Sequence, residues 1–306
     1  MTIKVLNRKN FFNSDVIKLV YWNEPNFGDI LSPYMVEKLS GKKIVYKSYN
    51  ISGLNIIKKL IKLILVFDFK KISSILFPWE KNLLAIGSIL SHGNKHSIVW
   101  GSGFISEDES FNGGKILAVR GKYTNDKLIK MGFQGTSIYG DPALLIPILV
   151  NPVSCKTDLI GIIPHWSEVD YFLDRYNNKY KIIDFRTREV ENTIAQITSC
   201  QYILSTSLHG LIVSHAYGIP ALWIKKRTLH ADDIKFKDYL SSVNIQVYEG
   251  FKNIEEILSS NQNCLELFLQ HKDKSLPNLD IKIIQRNLLN VAPFPIVNDF
   301  LYSFSS

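Results

Sequence analysis

The sequence predicts an α/β protein of two Rossmann-like domains that face a shared central cleft. Three observations carry that expectation. Short β-rich apolar runs alternate with segments of helical periodicity, the pattern of parallel sheets covered by helices. The alternation breaks around Pro147 to Asp158, where Pro147, Pro152 and a polar stretch separate two patterned halves. The 306 residues also exceed the roughly 250–300 at which one hydrophobic core stops growing. The expected boundaries are 1–150 and 151–306, with the C-terminal tail packing back on the first domain.

In the first half, Val16 to Trp22 reads as a strand, Asn23 to Asp29 as a turn, and Ile30 to Gly41 as a helix closed by its glycine. The runs Leu83 to Gly87, Ile98 to Gly101 and Ile116 to Arg120 end in small or charged residues, as buried parallel strands opening into ligand loops do. A helix is expected over Asn125 to Met131, with Thr124 as a candidate cap. The second half repeats the style. Strands are expected at Leu159 to Ile163, Lys181 to Phe185, Tyr202 to Leu204 and Ala221 to Ile224, and a helix at Glu189 to Thr198.

Composition fixes the class. Apolar residues make up 46% of the chain and charged residues 21%, ordinary values for a globular protein with a sizeable core. Cys155, Cys200 and Cys264 are three, widely spaced, with no CxxC pair, so neither a disulfide framework nor a zinc site is indicated. The N-terminus lacks a secretory apolar core, and a cytoplasmic setting is expected. A net charge of +8 points to an anionic partner or a diffusely basic surface. Nucleic-acid signatures are missing, so no nucleic-acid partner is expected.

One segment stands apart. Leu54 to Trp79 mixes lysines with aliphatic and aromatic residues, and its uninterrupted apolar run, Leu63 to Phe67, is far short of the roughly 20 residues a spanning helix needs. Two readings remain open: a membrane-facing helix with Lys58, Lys59, Lys62, Lys70 and Lys71 near anionic lipid, or a core helix with snorkelling lysines.

The chemistry concentrates after the strands. In LSTSLHGLIVSHAYGIP, Leu204 to Pro220, small hydroxyl residues and Gly210 precede a helix whose amide end favours an anion, and His209 stands at its mouth. Near-neutral titration suits His209 to proton transfer or anion binding, whereas His215, further along that helix, reads as structural. Arg120, beside Gly121, can fork onto a carboxylate or phosphate. In Asn26-Phe27-Gly28-Asp29, Gly28 permits a tight turn, and Asp29 is a cap, a sugar-hydroxyl acceptor or a base. Gly87-Ser88 and Gly101-Ser102-Gly103 admit a ligand close to the backbone. GxGxxG and the P-loop are absent, and the seven histidines do not cluster with acids, so no metal is expected.

Taken together and in order, NFGDILSPYMVEKLSG, AIGSIL, VWGSGF, LAVRGKYTNDKLIKMG, YGDPALLIP, IGIIPHW, STSLHGLIVSHAYGIPALWI and KFKDYL resemble the polysaccharide pyruvyl transferase family, over about Tyr21 to Leu240. The resemblance implies a glycosyltransferase-B-like fold. It also implies transfer of the pyruvyl group of phosphoenolpyruvate to two sugar hydroxyls of a surface polysaccharide or its lipid-linked precursor, with phosphoenolpyruvate as co-substrate and no resident cofactor. By motif, His209 and Arg120 are the donor residues. Ser207 stands where some branches carry an arginine, so Lys225, Arg227 or Lys235 is expected to substitute; Lys122 replaces a common proline. The expected donor set is Arg120, Ser207, His209, Gly210, Lys225 and Lys235, and the acceptor set Asn26, Gly28, Asp29, Ser88, Gly101, Ser102 and His165. His209 would protonate the methylene carbon or assist phosphate departure, Arg120 would clamp the donor, and Asp29 would orient or deprotonate the acceptor. A lipid-linked acceptor would give the basic segment a use at the inner membrane face. A sugar-nucleotide glycosyltransferase of the same fold and a non-catalytic carbohydrate-binding relative remain as alternatives.

Overall fold

A computed structural model describes residues 10–12, 14–47, 61, 64–65, 79–152, 155–226 and 233–297. Two parallel sheets organise them. The first contains β1 (Val16–Val20), β2 (Lys43–Lys47), β3 (Asn82–Leu84), β4 (Ser97–Trp100) and β5 (Lys115–Ala118) in the spatial order β2-β1-β3-β4-β5. The second contains β6 (Asp158–Ile163), β7 (Lys181–Ile182), β8 (Cys200–Ser205) and β9 (Ala221–Trp223) in the order β7-β6-β8-β9. Every pairing is parallel, as expected when helices connect successive strands. β3 and β4 are buried along their whole length, which is why they read as continuous apolar runs. β2, an edge strand, escaped the sequence reading because lysines at both ends leave only the three residues Ile44, Val45 and Tyr46 as an apolar run.

The helices that matter for the site follow strands. α1 (Phe27–Ser40) comes after β1; its C-terminus is closed by Gly41 in the left-handed region, φ 64°, whose N–H donates to the Glu37 carbonyl. α2 (Lys122–Lys130) follows β5 and begins earlier than Asn125. Thr124 is not its cap: the Thr124 N–H and hydroxyl both donate to Asp238, at 2.8 and 2.7 Å, so the helix start is tied to a distant carboxylate. In the second half, α3 (Val190–Thr198) packs beside α4 (Leu208–Ala216), which follows β8, and α5 (Ile234–Ser242) carries Asp238.

Apolar burial joins the two sheets. Leu19, Phe27 and Trp100 belong to the same buried cluster as Leu211, Ile212 and Tyr239. A late helix, α6 (Ile281–Asn290), reaches back to the first half. Trp100 Nε1 donates to the Leu288 carbonyl at 2.9 Å, Gln285 Nε2 to the Leu144 carbonyl at 2.7 Å, and Phe294 meets Trp100 edge-on. Burying a side chain as large as Trp100 stabilises by roughly 1.5–3 kcal/mol or more. His215 lies inside this core, its Nδ1 2.9 Å from the Tyr239 hydroxyl. Among the described residues no helix is long and apolar enough to cross a membrane. Of Leu54 to Trp79 only Ile61, Ile64, Leu65 and Trp79 are described, all four exposed; the lysines of that segment lie outside the described residues.

Candidate functional site

A cavity of about 470 Å³ opens where the carboxyl ends of strands from both sheets converge, the place where open α/β sheets hold ligands. Trp22 and Asn26 come from the turn after β1, Asp29 from the first turn of α1, and Ser88 from the loop after β3. His165, Trp166 and Ser167 follow β6, Phe185 follows β7, Ser207 and His209 follow β8, and Lys235 stands in the first turn of α5. The chain is bent into these loops by local bonds. Asn26 caps α1, its Oδ1 accepting from Gly28 N, and its Nδ2 donates to Asp29 Oδ2 at 2.7 Å. His165 N donates to Thr206 Oγ1 at 2.7 Å, which fixes the β6 loop against the β8 loop.

Two helix N-termini, of α1 and α4, border the cavity with their amide ends. The Ser207 side chain makes no capping bond to α4, and a helix start of this kind favours an anion. Lys235 adds a cation that is only 7% exposed. Burial, then the Arg120 charge, lowers its pKa to about 8, against the pull of Asp233, Asp29 and Glu168. Burial drives Asp29 the other way, up to about 7, with Lys235 opposing. His209 is driven down to about 3 by burial and then by the charges of Arg120 and Lys235, so its imidazole is neutral in the unliganded protein.

Arg120 stands behind the cavity wall and is not one of its lining residues. Its guanidinium is fully buried behind Ser88: Nε donates to Asp238 Oδ2 at 2.9 Å, Nη1 to Ser88 Oγ at 2.5 Å and Nη2 to the Phe104 carbonyl at 2.6 Å. Its charge still acts on the cavity, since it depresses both Lys235 and His209. The structure likewise places Gly210 against Ser205 and Ile163, Gly101 against Pro142, and buried Ser102 with its hydroxyl on the Gly87 carbonyl. Lys225 is paired with Asp233. None of these four lines the cavity. Arg227 lies outside the described residues. Gly28 stands directly behind His209: a Cβ there would fall 2.2 Å from Nδ1.

Three further features carried no residue-level signal. Trp22 and Trp166, one from each half, bring their rings to 5.5 Å in the cavity wall, and Trp166 is exposed. Asp238 anchors both Arg120 and Thr124. Asp141 is fully buried, with Oδ1 accepting from Ala143 N at 2.9 Å and Oδ2 3.8 Å from His209 Nε2. Among the described residues no group of three or more His, Cys, Asp or Glu could hold a metal ion.

Comparison with known proteins follows the same motifs. The sequence profile of the family described as polysaccharide pyruvyl transferase matches residues 2–225. An uncharacterized protein of Acanthamoeba polyphaga mimivirus is 33% identical over 171 residues, which is 53% of this chain and 60% of that relative. The chain thus spans 60%, less than two thirds, of that relative's length. No solved structure matches the chain.

Proposed function

The chain belongs to the polysaccharide pyruvyl transferase family, and on that premise we propose that it moves the pyruvyl unit of phosphoenolpyruvate onto two hydroxyls of one sugar. The observation that carries this reading is a single cavity holding a buried lysine, a neutral histidine at a helix mouth and a carboxyl group that titrates near neutrality. Phosphoenolpyruvate bears a phosphate and a carboxylate, and Lys235, Ser207 and the amide end of α4 suit them. Arg120 supplies a second positive charge from behind Ser88.

In the reaction two carbon–oxygen bonds form at the enol carbon and its bond to the phosphate oxygen breaks. One hydroxyl hydrogen ends on the methylene carbon, making a methyl group, and the other leaves with phosphate. Asp29, near-neutral in pKa and in the cavity wall, takes a hydroxyl proton. His209 delivers a proton to the methylene carbon or the departing phosphate, after a bound anion opposes the burial and the two cations that together hold the imidazole neutral. The faces of Trp22 and Trp166 suit the C–H face of a sugar ring at the cavity mouth, with His165 beside them. We place the two sheets as the halves of a glycosyltransferase-B-like fold. The acceptor is lipid-linked, at the cytoplasmic membrane face, a placement that the exposed Ile61, Ile64, Leu65 and Trp79 support.

The test is incubation with phosphoenolpyruvate and a panel of synthetic and lipid-linked glycosides, in detergent and in anionic vesicles, read by mass spectrometry. A gain of one pyruvate less one water, with one phosphate released per product, is expected. Transfer from a UDP- or GDP-sugar instead, or saccharide binding without phosphate release, overturns the reading.

A further inference from the structure

Asp141 begins the short 3-10 turn Pro142–Leu145, and one carboxylate oxygen accounts for that position: Oδ1 caps Ala143 N. The other oxygen is unexplained by the turn. Oδ2 is sealed from solvent without a hydrogen-bond partner, and so is His209 Nε2, 3.8 Å away. Leaving a buried polar atom unsatisfied costs about 1–3 kcal/mol, and here two such atoms face one another. The opposite edge of the imidazole is held by Gly28, where a side chain would collide with Nδ1 and Cγ at 2.2 and 2.7 Å. The His209 side chain keeps 14% of its surface accessible although Nε2 has none, so the accessible edge is the one away from Asp141. The ring is therefore seated between a backbone without a Cβ and a carboxylate.

We propose that Asp141 is the positioning residue of His209: its Oδ2 accepts from Nε2–H, fixes that tautomer, and leaves Nδ1 as the nitrogen that exchanges protons with ligand in the cavity. The proposal rests on the pyruvyl-transfer reading for its substrate, but not for its tautomer. Whichever proton His209 carries, Nδ1–H forms when it is taken and breaks when it is delivered; Nε2 keeps its hydrogen throughout, and the Asp141 charge stabilises the interim imidazolium. The charged and titratable groups facing the pair are Arg120, after β5, and Lys235, Asp238 and Tyr239, on α5. Burial raises Asp141 to about 7, so the accepting carboxylate prevails above that pH, where the tautomer is to be read.

Asp141→Asn gives a directed test. The Oδ1 of the replacement must still accept from Ala143 N, so its amide group would point at Nε2 and donate, forcing the Nδ1–H tautomer. ¹⁵N-imidazole NMR of the full-length protein, with His209 assigned by its loss in His209→Asn, is expected to report Nε2–H in the wild type and Nδ1–H in Asp141→Asn. Pyruvyl transfer by the variant is expected to fall about 10³- to 10⁴-fold in kcat, with KM for phosphoenolpyruvate changed by less than about threefold. Nδ1–H in the wild type overturns the proposal without any variant, and so does a folded Asp141→Asn with unchanged tautomer and kcat. Absence of transfer in the wild type overturns the functional reading alone, because the tautomer is measured without turnover.

Discussion

Lys235 and Asp29 line one cavity with opposite charges and converging titrations, and that fixes an expected pH profile. Asp29 has to lose its proton to act as a base, and its pKa is raised to about 7. Lys235 has to keep its proton to hold an anion, and its pKa is lowered to about 8. The kcat/KM for pyruvyl transfer should therefore rise as pH increases through about 7 and fall as it increases through about 8, a narrow bell. Lys235→Arg should move the falling limb to higher pH, because arginine stays protonated. A falling limb still near 8 in that variant would remove Lys235 from donor binding. At this scale the sequence was partly legible. Ser207, His209 and Asp29 announce themselves by residue type beside glycines and strand ends, whereas Lys235 enters only as one substitute for the arginine that the family resemblance expects at position 207. Asp141 does not: an aspartate before proline reads as a turn cap, which one of its oxygens is, and the use of the other depends on a histidine brought close only by tertiary packing.

Among the elements, α4 carries two histidines with unlike duties. His209 opens the helix at the cavity, whereas His215 is buried near its end between the Tyr239 hydroxyl and the Ala221 carbonyl. Burial, partly opposed by backbone hydrogen bonds, lowers His215 to about 4. A folded-state pKa below the unfolded value of about 6.5 means the unfolded chain takes up the proton first. Its contribution is thus present above about 6.5 and is lost as pH falls toward about 4, on the order of 3 kcal/mol. His215→Gln should remove its share of the pH slope of the urea-unfolding free energy across that window, in which His209, lowered to about 3, acts in the same direction and Asp29 and Asp141, raised to about 7, act in the opposite one between about 4 and 7. An unchanged slope in His215→Gln would assign the acid loss elsewhere. Strand existence was legible because buried parallel strands are short apolar runs, but β2 and the start of α2 were not. The first is masked by edge lysines, and the second is set by Asp238, remote in sequence from the helix it holds.

For the whole molecule, Arg120 ties one half of the chain to the other. Arg120 follows β5 and Asp238 lies on α5; both are fully buried, and the Asp238 carboxylate also receives two bonds from Thr124 at the start of α2. Breaking a buried pair from one side strands a charge and costs about 3–5 kcal/mol, whereas replacing both partners by apolar groups of similar volume is often neutral. Asp238→Ala should accordingly lower the urea-unfolding free energy by about 3–5 kcal/mol. The double replacement Arg120→Met with Asp238→Leu should recover part of it, a coupling readable in a double-mutant cycle completed by the single variants Arg120→Met and Asp238→Leu. Transfer should stay impaired in the recovered protein, since the charge behind Ser88 that acts on Lys235 and His209 is gone. If Asp238→Ala were as stable as the wild type, the pair would not hold the halves together. If the double variant regained full turnover with its stability, Arg120 would be a structural tie with no share in donor binding.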